Sequence, residues 1–317
     1  MKYFLFYFSV FLLLISCKSI YQEDVFKINP LGVKGGFDES NLSAYMVAPI
    51  NSENYICLDA GTIYAGLSKS VSNGIFKEKP EDILKNNIKA YLISHAHLDH
   101  VAGLVINSPA DVPKTIYASQ YVIDVFTEKY FTWQNWANFT NLGEEPRLNI
   151  YDFEILEPHK EIAITNTELF VTPFTLSHSN PYQSQAFLVR YKNNYLLYLG
   201  DTGSDKIENS EKLLQLWKRI APLIINSLLK AIFIEVSFPN SQSNSSLFGH
   251  LKPQLFYDEM RVLASYTGKN PLNNFPIVIT HRKPHENNEA IIKEELLKAN
   301  SLKLKLVFPE QGKLIKF

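Results

Sequence analysis

Residues 94–100 read SHAHLDH, which gathers three imidazoles and a carboxylate immediately after a run of apolar residues. Side chains of these types packed so closely point to metal binding. Imidazole nitrogen beside carboxylate oxygen suits zinc, and a catalytic site uses few enough protein ligands to leave a position for water. In a turn, His95 and His97 point one way while Asp99 and His100, further along, face a second metal. A chain carrying this cluster must fold so that more ligands reach it from elsewhere.

The rest of the chain offers them. Short β-branched and aromatic runs alternate with helix-like stretches, the pattern of a layered α/β domain. Strands are expected over 55–58, 89–94, 169–176, 195–199, 231–235 and 276–280, all apolar enough to be buried on both faces. They run in turn into Asp59, His95, His178, Asp201, Ser237 and His281. Ligands in layered α/β folds collect beyond the carboxyl ends of the strands, so these scattered positions are expected to converge. Gly200 and Gly203 flank Asp201 and are expected to allow a tight turn there. Helices are expected over 210–220, opened by Ser210 as cap, and over 289–297. The aromatic stretch 117–141, with Phe126, Tyr130, Phe131, Trp133, Trp136 and Phe139, is expected to be an inserted lid or flap. Trp133 and Trp136 lie three apart, which favours covering a core or partner surface over stacking on a ligand.

Composition narrows the partners. A formal net charge of −1 gives no footprint for polymeric nucleic acid, which needs a clustered basic surface, and points instead to a small anion. The leader MKYFLFYFSVFLLLISC puts Lys2 before an apolar stretch that stops at Ser16 and Cys17. A membrane span needs roughly 20 apolar residues, so this shorter run reads as an export signal over 1–16. The tetrapeptide LISC at 14–17 resembles the lipobox of bacterial lipoproteins. That resemblance implies that Cys17 is lipidated and anchors an exported chain to a membrane on the periplasmic or cell-envelope side. A linker over 17–27 and one catalytic domain over 28–317 are expected to follow. Only Cys57 then remains, inside an apolar run, and is expected to be a buried, inert thiol. Whether two copies pair as a homodimer is left open.

HAHLDH at 95–100 matches the HxHxDH motif of the metallo-β-lactamase superfamily, and the longer run HAHLDHVAGLVINSP at 95–109 resembles the signature of class II cyclic nucleotide phosphodiesterases. LGVKGGFDESNLSAYMV at 31–47, YFTWQNWANFT at 130–140, LFGHLKP at 247–253 and ITHRKP at 279–284 are similar to further segments of that family. One departure is Ala137, where the family pattern has Pro.

The resemblance implies an αββα sandwich of two packed mixed sheets with helices on the outer faces. It implies two divalent metals, with His95, His97 and His178 on one, Asp99, His100 and His281 on the other, and Asp201 bridging. Zinc is the expected metal, with manganese and iron as alternatives. The implied reaction opens a 3′,5′-cyclic nucleotide, cyclic AMP or cyclic GMP, to the 5′-monophosphate through a hydroxide activated by the two metals. Asp99, as a metal ligand, and His250, in FGH, are the catalytic candidates, the latter to protonate the leaving oxygen or bind the phosphate. Glu235 and Ser237 are candidates for holding substrate or orienting such groups, and Asp59 for orienting a ligand loop. His159 and His285 receive no catalytic role, although His285 is close enough to His281 in sequence to support it.

Two other readings stay open. One is a different superfamily hydrolase, acting on a lactam, a thioester or another phosphodiester. The other is a metal-bearing scaffold without turnover. A di-iron oxidoreductase is disfavoured, because those relatives usually carry a carboxylate where this chain has His97.

Overall fold

In the computed structural model, which describes residues 24–317, two seven-stranded sheets pack face to face. The expected leader over 1–16, the lipidation candidate Cys17 and the linker as far as residue 23 lie outside the described residues. The first sheet is built from β1 (Phe26–Gly32), β2 (Ala44–Pro49), β3 (Tyr55–Leu58), β4 (Ile88–Ile93), β5 (Lys114–Ala118) and β6 (Tyr151–Ile155). The second holds β7 (Ile162–Ala163), β8 (Phe170–Ser177), β9 (Gln183–Tyr191), β10 (Asn194–Leu199), β11 (Leu229–Glu235), β12 (Pro276–Thr280) and β13 (Lys305–Val307), while β14 (Ile315–Lys316) returns to the edge of the first beside β1. Both sheets are mixed: β3 to β6 run parallel and β1 to β3 antiparallel, while β10 to β13 run parallel and β7 to β10 antiparallel.

Strand sequence explains the layering. In β3, Ile56 and Leu58 enter the core between the sheets, whereas Tyr55 and Cys57 enter the outer core under the helices. In β11, Ala231 and Phe233 face the other sheet while Ile232 and Ile234 face outward. Alternate side chains of a strand point to opposite faces, so such near-continuous apolar runs need cover on both sides. Helices α1 (Tyr64–Ser72), α2 (Pro80–Asn86), α3 (Leu98–Asn107) and α4 (Gln120–Val125) cover the first sheet with Leu67, Leu84, Leu104 and Ile123. After the short α5 (Asp205–Glu208), α6 (Lys212–Ile225), α7 (Pro253–Thr267) and α8 (Asn288–Ala299) cover the second with Trp217, Phe256 and Leu296. No described helix is long and apolar enough to cross a membrane.

All six expected strands form, within a residue or two at their ends. Four expectations change. The linker stops short of residue 27, because Phe26 and Lys27 are already buried in β1. The helix expected from Ser210 begins at Lys212: Ser210 Oγ accepts the Lys212 N–H at 3.2 Å, as the expected cap should, and the Asp205 carboxylate adds caps on the Leu213 and Leu214 N–H groups at 3.1 and 2.8 Å. Neither Gly200 nor Gly203 has a positive φ; Gly200 is required because an added Cβ would lie 2.4 Å from Ser94 Oγ. Finally, 117–141 is no inserted flap. It contains the end of β5, α4 and a turn whose Phe126 and Phe131 are fully buried in the outer core of the first sheet, and Trp136 donates its indole N–H to Ser108 Oγ. Cys57 is fully buried, its thiol donating to the Asp59 carbonyl, and burial pushes its pKa up, as expected of an inert thiol.

Candidate metal centre and active site

The carboxyl ends of β3, β4, β8, β10, β11 and β12 open at one edge of the sandwich. β3 runs parallel to β4, and β8, antiparallel to β9, is therefore parallel to β10, β11 and β12. Asp59, His95, His178, Asp201, Ser237 and His281 leave these ends, and α3 starts directly from His97, placing Asp99 and His100 in its first turn. The seven expected ligands meet there. Donor atoms of His95, His97, His178 and Asp201 lie within 4.8 Å of one another, as do those of Asp99, His100 and His281. Asp201 stands between the sets: its Oδ1 is 3.3 Å from His100 Nε2, and its Oδ2 is 3.3 Å from His281, 3.7 Å from His95 and 3.9 Å from His178.

Hydrogen bonds behind the imidazoles fix which nitrogen faces inward. Ser94 Oγ gives its proton to Asp59 at 2.8 Å and so accepts from His95 Nδ1 at 3.0 Å. His100 Nδ1 donates to Asp59 at 2.8 Å, and His178 Nδ1 to the Gly249 carbonyl at 2.9 Å. Ser237 Oγ donates to Glu235 and accepts from His281 Nδ1 at 2.9 Å. Such bonds on the remote ring nitrogen set the tautomer and raise ligand basicity. Each of these four rings is left with an Nε2 lone pair aimed at the cluster. Lone pairs converging on two carboxylates repel unless positive charge lies among them. His100 Nε2, buried without a hydrogen-bond partner, shows the need most clearly. The donor set therefore fits two divalent cations.

Protonation points the same way for the first set. Burial, followed by mutual repulsion with neighbouring imidazoles, holds His95 well below the ordinary histidine range and His97 at about 4, so both favour the neutral, ligating form. Burial also opposes charge on His100, but Asp201 and Asp59 outweigh it and raise its pKa. Backbone geometry adds strain: Asp59 and His281 both hold positive φ, at 54° and 52°, a conformation costly for residues with side chains. Gly35 leaves room for His281, since a Cβ there would fall 2.2 Å from the imidazole.

The remaining candidates fall into place around the ligands. His250 packs against His281, ring centroids 5.2 Å apart, with Nδ1 2.8 Å from Glu235 and 3.6 Å from Asp201, and joins a third donor group with Asp201 and His281. Glu235 and Ser237 are buried behind the ligands rather than facing the opening. Glu235 also accepts the Thr202 N–H at 2.9 Å, tying the loop that carries Asp201. They are positioned to orient His250 and His281 and are not placed to touch substrate. Asp59, fully buried, holds Ser94, His100 and Tyr198, as a loop-orienting residue should. His159 is exposed and packs against Phe174, outside the donor groups, while exposed His285 packs on Phe37 and has no bond to His281. The sequence reading missed Ser94, the Gly36 N–H that binds Asp99 at 2.9 Å, the Gly249 carbonyl and the Tyr198 hydroxyl. Ser94 stood inside the motif and was legible there; backbone groups leave no trace in a sequence.

Known proteins resemble this chain in sequence and in fold. The family model for cAMP phosphodiesterases class-II matches residues 24–312. A 3′,5′-cyclic-nucleotide phosphodiesterase of Aliivibrio fischeri is 38% identical over 323 residues, spanning 96% of this chain and 98% of that protein. A probable 3′,5′-cyclic-nucleotide phosphodiesterase of Yersinia pestis is 36% identical over 307 residues, with 92% and 89% covered. Among solved structures, unliganded yeast PDE1 superposes with a TM-score of 0.83 at 22% identity, covering 93% of this chain and 100% of that one. The metallo-β-lactamase fold protein YhfI of Bacillus subtilis gives 0.61 at 17% identity, with the same coverage. The two packed mixed sheets are thus a metallo-β-lactamase fold, and the chain belongs to the class II cAMP phosphodiesterases, a family of hydrolases.

Proposed function

We propose that this chain hydrolyses 3′,5′-cyclic nucleotides, cyclic AMP foremost, to nucleoside 5′-monophosphates at the cluster around Asp201. The observation that carries the reading is the division of donors into two sets sharing one buried carboxylate, in a chain of this family. Two divalent cations, most simply Zn²⁺, would be held by His95, His97 and His178 on one side and Asp99, His100 and His281 on the other, with Asp201 between. When bound they supply positive charge for the phosphoryl oxygens and bring the pKa of water from about 15.7 towards 7.

The chain's own residues do the rest. Asp59, Ser94, Gly249 and Ser237 hold the four imidazoles in one tautomer, so little reorganisation is left for the reaction. Water attacks phosphorus in line and loses a proton to solvent, the bond to the ribose 3′ oxygen breaks, and that oxygen takes up a proton. His250 supplies it. Burial opposes a charge on this ring, but Glu235 and Asp201 outweigh burial and raise its pKa, and the Nδ1 contact to Glu235 leaves its other nitrogen to act.

Metal-loaded protein incubated with cyclic AMP should yield AMP by chromatography. Absence of any 5′-monophosphate from either cyclic purine nucleotide would sink the reading in favour of a hydrolase for another phosphodiester, a thioester or a lactam. His250→Ala should slow cyclic AMP turnover by about 10²–10⁴-fold, yet slow a p-nitrophenyl phosphodiester far less, because that leaving group needs no proton. Equal losses on both would make His250 a phosphate-binding group instead.

Asp201→Ala should lower the content of both metals per chain, measured by elemental analysis, and cost turnover by orders of magnitude. His178→Ala should deplete one metal and His281→Ala the other. A folded Asp201→Ala protein with two tight metals and near-parental turnover would place the bridge elsewhere.

We further propose that Cys17 carries a lipid that anchors the chain to a membrane, supported by the LISC tetrapeptide after a short apolar leader. Cys17→Ser should abolish acyl labelling and leave the membrane fraction depleted of processed protein. Labelling equal to the parent's would remove the anchor from this account.

A further inference from the structure

A cavity of about 240 Å³ opens beside His95 and His97. Beyond these two ligands and Ala96, its walls are Tyr121, Val125, Tyr130, Tyr182 and Gln183. Tyr130 is locked in place, its hydroxyl donating to the Ala96 carbonyl at 2.6 Å. Tyr182, about half exposed, meets the His97 ring edge-on with centroids 4.6 Å apart. Tyr121 and Gln183 are shared with a second cavity of about 240 Å³, to which Ser184 and Gln185 contribute. Gln185 is 2% exposed, yet neither its amide nitrogen nor its amide oxygen has a partner, and the buried Ser184 hydroxyl has none. The order is thus metal donors and aromatic side chains in the first cavity, then the exposed Gln183 shared by both, then, in the second, the one buried amide with unmet hydrogen-bonding capacity, that of Gln185. Buried polar groups in native proteins are rarely left unsatisfied, so this end of the cleft calls for a ligand or water.

That order matches a nucleotide read from phosphate to base. Resting on the cyclic nucleotide reading above, we propose that the cleft is the nucleobase pocket, with Tyr182 and Tyr130 packing on the base and the Gln183 amide bonding its edge. Aromatic faces bind any base, whereas an amide, offering one donor and one acceptor, complements the N6 and N7 edge of adenine. Guanine presents two acceptors on that edge, which call for a guanidinium or ammonium, and neither cavity is lined by Arg or Lys. The other hollows beside the cluster differ: one carries Lys283 with Glu39 and Asp99, and the other, which reaches the far side of Tyr182 and Gln183 beside His178, carries Glu208 and Lys212; neither sets two tyrosine rings against a candidate ligand of the metals. The aromatic segment therefore has two roles. Its Phe126 and Phe131 fill the core while Tyr130 faces substrate.

The test compares AMP with ribose 5-phosphate, the same product without its base, by calorimetry on metal-loaded protein alongside KM for cyclic AMP. Tyr182→Ala should weaken AMP and raise KM by about ten- to a hundredfold, the loss of one stacked aromatic, while ribose 5-phosphate binding moves by less than about threefold. Tyr182→Phe, which keeps the ring, should restore AMP binding. Gln183→Ala should narrow the preference for cyclic AMP over cyclic GMP. If the parent turns over cyclic AMP but Tyr182→Ala affects AMP and ribose 5-phosphate equally, or neither, the base lies elsewhere and this inference is overturned alone. A parent that hydrolyses no cyclic nucleotide overturns the functional reading and the pocket with it.

Discussion

The Asp59 carboxylate, fully buried at the end of β3, accepts hydrogen bonds from the Ser94 N–H and hydroxyl, from His100 Nδ1 and from the Tyr198 hydroxyl. Ser94 and His100 belong to the first sheet and its helix, while Tyr198 belongs to β10 of the second. One side chain thus ties both sheets together directly beneath the candidate ligands. Burying a carboxylate is costly unless its oxygens are satisfied, and here four donors satisfy them. Because two of those donors orient His95 and His100, movement of the sheets against each other would disturb metal ligands. Fold and site share this constraint.

Around it the same logic repeats at smaller scale. Glu235, buried at the end of β11, binds His250, Ser237 and the Thr202 N–H, and so fixes the Asp201 loop and the His281 ring together. Two fully buried carboxylates, one per sheet, act as organisers, while Asp99 and Asp201 belong to the donor groups that could hold metal. The carboxylates separate by role: the organisers are held by several protein donors, whereas Asp99, held by the Gly36 N–H, and Asp201 face converging imidazole nitrogens. This is the arrangement expected where a rigid first layer of ligands must hold a reactive charge without relaxing.

Much of this was legible before any coordinates. Clustered histidines in SHAHLDH announced metal, and apolar runs ending in His, Asp or Ser announced strands that deliver polar side chains to one edge; all six such strands form. What misled were local signals with more than one physical meaning. Ser210 looked like the whole helix cap, but it takes only the Lys212 N–H, and Asp205, from the preceding turn, accepts the next two amides. Glycines beside Asp201 looked like a turn, but Gly200 serves close approach of Ser94 from the facing sheet. Aromatic density at 117–141 looked like an insertion, but a sheet face that needs cover recruits the same residues.

Sequence by itself determined the ligand types, their delivery from strand ends and the family, because these depend on residue identity and on short-range periodicity. Tertiary structure alone decided which imidazole nitrogen faces the donor cluster, that Glu235 and Ser237 lie behind it, and that Tyr130, Tyr182 and Gln183 meet in one cleft. Those outcomes depend on hydrogen bonds to backbone carbonyls and on contacts between residues far apart in the chain. His178 to Gly249 and Tyr198 to Asp59 are examples, fixed only when two sheets pack and set their relative positions.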